Sequence, residues 1–202
     1  MSREESVHDP WTIVDEQPDP ARMVRMLEDR AAHPDQAEMR RRFWEWLEVR
    51  PGEMVLDVGC GAPLNLAFEV ADATGLPFPD EGWDLVLAAT VFTHVQRQTD
   101  VMQEMARVAR RGGRVDGWSG RRILGLMRQA GLGGVRCLPL AWVDPDYGPY
   151  MRYTLESRAA FAVERCAVTE AEAKAWLDEL DGRARDGTFF SGLTYYGFVG
   201  TK

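Results

Sequence analysis

The chain has 202 residues, 45% hydrophobic and 28% charged, proportions that exclude a disordered, collagen-like or membrane-spanning class and suit a single soluble domain. Lys and Arg number 24 against 32 Asp and Glu, and the formal charge of -8 would repel a phosphate backbone, so nucleic acid is a poor partner. Cys60, Cys137 and Cys166 are odd in number, far apart and form no Cys-x-x-Cys pair, which predicts a reducing, cytoplasmic setting and no structural metal. The acidic first twenty residues, broken by Pro10, Pro18 and Pro20, do not read as a signal peptide.

Residues 21–32 and 35–49 carry apolar side chains at helical spacing (Met23, Met26, Leu27, then Phe43, Trp46, Leu47) and predict two helices. The run Arg40-Arg41-Arg42 sits among Glu38, Glu45 and Glu48 and reads as a solvated helix face. Pro51-Gly52 stops the second helix, and Met54 to Val58 follows as a short apolar strand of the buried parallel kind, leading directly into Gly59-Cys60-Gly61. A second short run, Phe68-Glu69-Val70, leads to Asp72; Trp83 to Ala88 is a further strand. Asp100 to Arg110 predicts a helix ended by Arg111-Gly112-Gly113, Arg121 to Ala130 another, Gly134 to Val143 a strand and 154–166 a helix. Thr169-Glu170-Ala171-Glu172 is a capping box opening a helix to about Arg185, and Phe189 to Val199 is β-prone. Alternating strands and helices give an α/β sheet without internal repeats.

Glycines directly after a buried strand permit a tight turn and close approach to a ligand, and Asp57 at the strand end can anchor that loop or a polar ligand group. A purely structural glycine turn is the other reading. The segment is neither a Walker loop nor a full dinucleotide fingerprint, because no Gly-Lys-Ser/Thr and no third glycine follow.

Four segments in order, Val55-Leu56-Asp57-Val58-Gly59-Cys60-Gly61, Val70-Ala71-Asp72-Ala73-Thr74-Gly75-Leu76-Pro77-Phe78, Trp83-Asp84-Leu85-Val86, and Glu104 to Val115, together resemble the class I S-adenosylmethionine-dependent methyltransferases. They look most like the bacterial small-molecule enzymes that modify quinones and natural products. The resemblance spans about residues 51–140, and the closing segment Phe189 to Lys202 looks like that family's last strand. It implies a Rossmann-like sheet with helices on both faces, N-terminal helices and a helical insert before the final strand. The whole is organised as one domain: 1–49 an N-terminal helical segment, 50–142 the cofactor-binding core, 143–188 a helical substrate lid and 189–202 the last strand.

The resemblance also implies site roles. Asp57, Gly59, Cys60 and Gly61 match the loop facing the methionine part of the cofactor S-adenosylmethionine. Asp72 matches the acidic residue that accepts from the adenine amine, with the Ala73 amide beside it, although a plain turn-forming Asp ahead of Thr74-Gly75 is the alternative. Thr90 would face the cofactor pocket. Methyl transfer is an in-line displacement at a sulfonium carbon, so positioning the acceptor and excluding water are the main tasks. A base is required only if the acceptor must lose its proton early, and His94 is the candidate, with packing between loop and helix as its other reading. Trp11, Phe92, Trp142 and Tyr147 could line an apolar pocket for an aromatic or polyketide-like acceptor, or be ordinary packing, as could Phe43, Trp44, Tyr150 and Phe161.

The pattern breaks in two places. Parallel strands need a crossover of a dozen or more residues, yet only about Ala62 to Ala67 separates the glycine loop from the run before Asp72. The family fills this interval with a helix, a second strand ending in an acidic residue that holds the ribose hydroxyls, and another helix. After Arg114-Val115 the expected fifth strand is barely two residues long, and the connection to Gly117-Trp118-Ser119-Gly120 is short. Chain breaks between Gly61 and Ala67 and between Arg114 and Gly120 are therefore expected, unless Cα atoms follow one another at about 3.8 Å throughout. A continuous chain predicts weak or no cofactor binding. The rival readings are a methyltransferase-like protein that binds a metabolite or cofactor without methyl transfer, a nicotinamide-dependent oxidoreductase, and a non-enzymatic interaction protein. The favoured reading expects a monomer or homodimer acting on a small molecule, away from membranes.

Overall fold

The computed structural model describes residues 16, 18–60, 67, 69–118 and 122–202. Helix α1 (Pro20–Ala32) starts on a proline, whose fixed φ and missing N–H suit a first turn. Helix α2 (Pro34–Leu47) does the same, with the His33 Nδ1 accepting from the Asp35 amide at 3.3 Å. Then come β1 (Val55–Asp57), β2 (Trp83–Leu87), α3 (Gln98–Val108), β3 (Ala109–Trp118), α4 (Ile123–Gln129), β4 (Gly133–Asp144), α5 (Pro149–Glu164), α6 (Glu170–Arg185) and β5 (Ser191–Thr201).

The strands form one sheet of order β1-β2-β3-β5-β4. β1, β2 and β3 run parallel, with Leu56 opposite Val86 and Val86 opposite Val115, while β5 lies antiparallel to β3 with Val199 opposite Asp116. In a doubly wound sheet of order 3-2-1-4-5, these three parallel strands occupy places 1, 4 and 5. Places 2 and 3 are unfilled among the described residues, so β1 forms the edge. That accounts for the run ending at Val70, which pairs with nothing regular and leaves Val70 fully exposed: the strand that would carry its hydrogen bonds from β1 has no residues to build it. Phe68 lies outside the described residues.

The region after α3 corrects the reading of a truncated strand. The helix ends at Val108 rather than at the following Arg and Gly residues, and β3 begins at Ala109 and runs ten unbroken residues to Trp118. Ala109 pairs with Trp83 of β2 and, after a register shift, Arg114 and Val115 pair with β2 and Arg114 to Trp118 with β5, so sheet pairing takes up the chain directly after Val108. Strand β3 covers Arg114 to Trp118; the rest of that interval, and the interval after Gly61, lie outside the described residues.

The chain divides into two compact units. The first comprises residues 1–21, 40–140 and 195–202. Its core is built by Val86 and Ala88 of β2 and the residue after it, Val101, Met102, Met105 and Val108 of α3, Ile123 and Met127 of α4, and Phe92. The second comprises residues 22–39 and 141–194 and includes α5 packed on α6. Helix α6 carries the predicted capping box: the Thr169 hydroxyl accepts from the Glu172 amide at 3.2 Å, and Glu172 accepts from the Thr169 amide at 2.8 Å. Gly187, at φ +66, lets the chain turn away after it, with the Thr188 amide donating to the Arg183 carbonyl at 2.8 Å. Helix α5 starts five residues earlier than the sequence suggests, because Pro149 serves as its first turn. No helix among the described residues is long and apolar enough to cross a membrane.

Candidate functional site

β1 is only three residues long, but it ends in the residue that matters. The Val58 amide donates to the Leu87 carbonyl at 2.8 Å, fixing the exit of β1 beside the exit of β2, as parallel neighbours must be for their loops to converge. Asp57 is half-buried there, its Oδ1 has no hydrogen-bond partner among the described residues, and burial pushes its carboxyl up from 3.8 to about 6. A carboxylate left without a donor costs stability, and such a group is retained where a cationic or donating ligand completes it. Gly59 turns the chain at φ +76, and a Cβ added to it would lie 2.5 Å from Val91 Cγ2, so glycine is required by both conformation and contact. Cys60 is exposed, and its thiol is raised by burial first and by the Asp57 charge second. Gly61 lies outside the described residues.

Beyond β2 the backbone is strained: Thr90 holds φ +61, and its carbonyl accepts from the Thr93 hydroxyl at 3.0 Å. A β-branched residue in that region costs on the order of 1–3 kcal/mol, and such outliers gather at ligand sites. His94 sits in the same turn, half-buried, its amide donating to the Val91 carbonyl at 2.8 Å. Phe92 departs from the expected pocket role. It is fully buried in the core of the first unit, where it packs with α3, because a ring between two tight turns finds no water-facing direction.

Asp72 forms the turn that was its alternative reading. One carboxylate oxygen accepts from both the amide and the hydroxyl of Thr74, each at 2.8 Å, and the Gly75 amide donates to the Asp72 carbonyl at 3.0 Å. The backbone bond from Thr74, then its hydroxyl, holds this exposed carboxyl below the usual range. The second oxygen has no bond among the described residues and can accept from a ligand amine. Ala73 packs against the core. The turn and the adenine reading are therefore compatible.

Two aromatics proposed for the acceptor lie in the second unit. Trp142 is buried between the His33 ring, edge-on at 5.7 Å, and the Tyr150 ring at 5.4 Å, and its Nε1 has no acceptor among the described residues. Tyr147 is buried against Phe189 at 4.6 Å and under the Arg152 guanidinium at 4.5 Å, and burial raises its hydroxyl. Both serve as packing in this structure. Trp11 lies outside the described residues. Sequence reasoning missed Val91, which closes on Gly59, and the Glu104–Arg107 pair; the three-residue spacing of that pair on a helix is visible in sequence, but its reach to the loop at 76–80 is not.

With this geometry in place, similarity to known proteins becomes specific. Residues 55–115 match a methyltransferase domain. Methyltransferase GfsG of Streptomyces halstedii is 29% identical over 114 aligned positions, covering 38% of this chain and 41% of that protein. The ubiquinone/menaquinone biosynthesis C-methyltransferase of Pseudomonas fluorescens is 40% identical over 63 residues, 31% of this chain and 24% of that protein. The chain thus spans less than half the length of these curated relatives. The fold is the Rossmann-like methyltransferase fold: the YcgJ protein of Bacillus subtilis superposes with a TM-score of 0.58 at 16% identity, over 82% of this chain and 98% of its own. A SAM-dependent methyltransferase of Thermotoga maritima gives 0.52 at 13% identity, over 90% and 96%.

The residues present fit S-adenosylmethionine, the cofactor of the matched domain, at two of its three parts. Asp57 and the Gly59 turn suit the cationic methionine end, and the open oxygen of Asp72 with the Ala73 amide suits the adenine edge. No described residue occupies the position of the ribose-binding carboxylate.

Proposed function

We propose that this chain binds S-adenosylmethionine at the exits of β1 and β2 and transfers methyl to oxygen or carbon of a small aromatic or polyketide-like acceptor. The observation that carries this reading is the half-buried Asp57 oxygen, unpartnered among the described residues, at a parallel strand end directly before a glycine turn, inside the segment that matches the methyltransferase domain. When bound, the cofactor supplies an electrophilic methyl on a sulfonium.

The chain's own residues have four tasks. Asp57 accepts from the methionine ammonium and balances positive charge in a half-buried setting, where such pairing is stronger than in water. The Gly59-Cys60 backbone approaches the cofactor closely, beside the strained Thr90 turn whose Val91 packs on Gly59. Asp72 and Ala73 fix the adenine edge. His94 takes a proton from the acceptor where one must leave. The acidic surface, the exposed unpaired thiols and the small-molecule relatives support a cytoplasmic enzyme, monomeric or dimeric, that does not bind nucleic acid.

Calorimetry with S-adenosylhomocysteine tests the reading. At a hundredfold excess over its dissociation constant the ligand stabilises the fold by about 2.7 kcal/mol, and Asp57→Asn or Asp72→Ala abolishes that gain. No stabilisation of the unaltered chain sinks the reading and favours a methyltransferase-like protein without transfer. For His94→Gln, a rate loss of about a hundredfold or more supports the base role; an unchanged rate removes it.

A further inference from the structure

Residues 76–80 belong to no helix or strand, yet Leu76 is buried and the Phe78 ring meets Trp83 edge-on at 5.3 Å. Their anchor is Arg107, on the last turn of α3. Its Nε donates to Glu104 Oε1 at 2.8 Å; Nη1 donates to the Phe78 carbonyl at 2.9 Å and to Asp80 Oδ1 at 2.7 Å; Nη2 donates to the Leu76 carbonyl at 2.9 Å and to Glu104 Oε2 at 2.8 Å. A guanidinium has five N–H donors in a planar fork, and all five are used. Glu104 Oε2 also accepts from the Leu76 amide at 2.9 Å, and the Arg107 carbonyl accepts from the Glu81 amide at 3.1 Å.

Leu76 is thereby held at both its backbone groups, one residue after the turn closed by the Gly75 amide on the Asp72 carbonyl. The Thr74 bonds orient the exposed Asp72 carboxylate within its own turn, and the bonds to Leu76 fix that turn against α3. A fully satisfied charged network rigidifies what it binds. We propose that Glu104 and Arg107 are positioning residues for the purine-reading turn: they aim the open oxygen of Asp72, and so set selectivity for a purine carrying an exocyclic amine over one carrying a carbonyl. The inference rests on the cofactor reading above and adds to it two residues that touch no ligand.

The experiment compares binding of S-adenosylhomocysteine with S-inosylhomocysteine, in which a carbonyl replaces the amine, for the unaltered chain, Arg107→Lys, Glu104→Gln and Asp80→Ala, each checked for cooperative unfolding. The unaltered chain is expected to prefer the amine by about tenfold or more, the scale of one well-made hydrogen bond to a charged group. Arg107→Lys keeps charge but loses the fork, and its preference is expected to fall to about twofold or less. Glu104→Gln, which retains shape, falls between, and Asp80→Ala, which removes one exposed partner, keeps the full preference. If Arg107→Lys does not fold, Glu104→Gln carries the test. Folded variants that retain the preference overturn the positioning role while leaving the cofactor reading intact. An unaltered chain that binds neither compound overturns both.

Discussion

The two sides of β2 differ in what they have to pair with. Toward β3 the sheet is deep: a ten-residue strand pairs with β2 and β5, and α3 covers it with Val101, Met102, Met105 and Val108, all fully buried. Toward β1 it is thin: three residues, none fully buried, with Met54 exposed just before them and no neighbour on the outer edge among the described residues. The deep side stores stability, and the thin side holds the unpartnered carboxylate and the glycine turn. Sites built on rigid scaffolds tolerate local cost because the rest of the structure supports it.

The largest expected contrast is in stability. Leu85→Ala, on β2 with no exposed surface, removes a core side chain and should cost about 2–5 kcal/mol, lowering the melting temperature by roughly 10 °C at this chain length. Met54→Ala at the edge should cost under about 1 kcal/mol. Comparable losses at the two positions would show that the edge is covered in solution. Amide exchange should follow the same division, with Val55 to Asp57 opening well before β3.

Asp57 sharpens the comparison in the other direction, because replacing it should strengthen the free protein. Burial raises its carboxyl to about 6 in the fold against 3.8 unfolded. Between those values the folded chain holds a proton that the unfolded chain has released, so stability falls as pH rises from about 4 to about 6, and the loss persists above that. The full shift corresponds to at most about 3 kcal/mol, reduced by residual solvent. Asp57→Asn should therefore melt higher than the unaltered chain at pH 7 and equally at pH 4, while losing cofactor binding. A variant that is less stable at pH 7 would mean that Asp57 holds its loop together rather than waiting for a ligand.

Gly59→Ala is expected to cost about 1–3 kcal/mol from a left-handed backbone, together with the contact on Val91. Adding Val91→Ala should recover the contact part alone. Full recovery would show that φ +76 is not enforced.

How much of this was legible depended on range. The parallel strands, the glycine turn and the Thr169–Glu172 cap could be read because each is a local pattern: a strand run, two residues of turn chemistry, a three-residue spacing. Phe92 could not, since a phenylalanine in a loop has the same sequence signature whether it lines a pocket or plugs a core. The end of α3 falls two residues before the arginines and glycines suggest, because Ala109 already pairs with Trp83 of β2, a contact with no local signature. The brace from Arg107 to Leu76, Phe78 and Asp80 spans about thirty residues and has no sequence period. What the sequence showed best was a shortage, too little chain between Gly61 and Asp72, and among the described residues no strand lies beside β1 on its outer edge.

That shortage yields the smallest effect and the most particular one. In the family this chain resembles, a carboxylate ending the second strand holds the ribose hydroxyls, and a bond to a charged acceptor is worth about 1.5–3 kcal/mol, or tenfold and more in affinity. Here the interval cannot hold a crossover helix and that strand, and Glu69, the described carboxylate nearest in sequence before Asp72, is exposed in a loop. Binding of S-adenosylhomocysteine should therefore be nearly indifferent to its hydroxyls: the 2′-deoxy and 3′-deoxy analogues should bind within about threefold of the parent, because no charged acceptor is lost with either hydroxyl. A tenfold loss with either analogue would show that a carboxylate has taken over the vacant role, and Glu69→Gln would then erase the difference if that residue is the substitute.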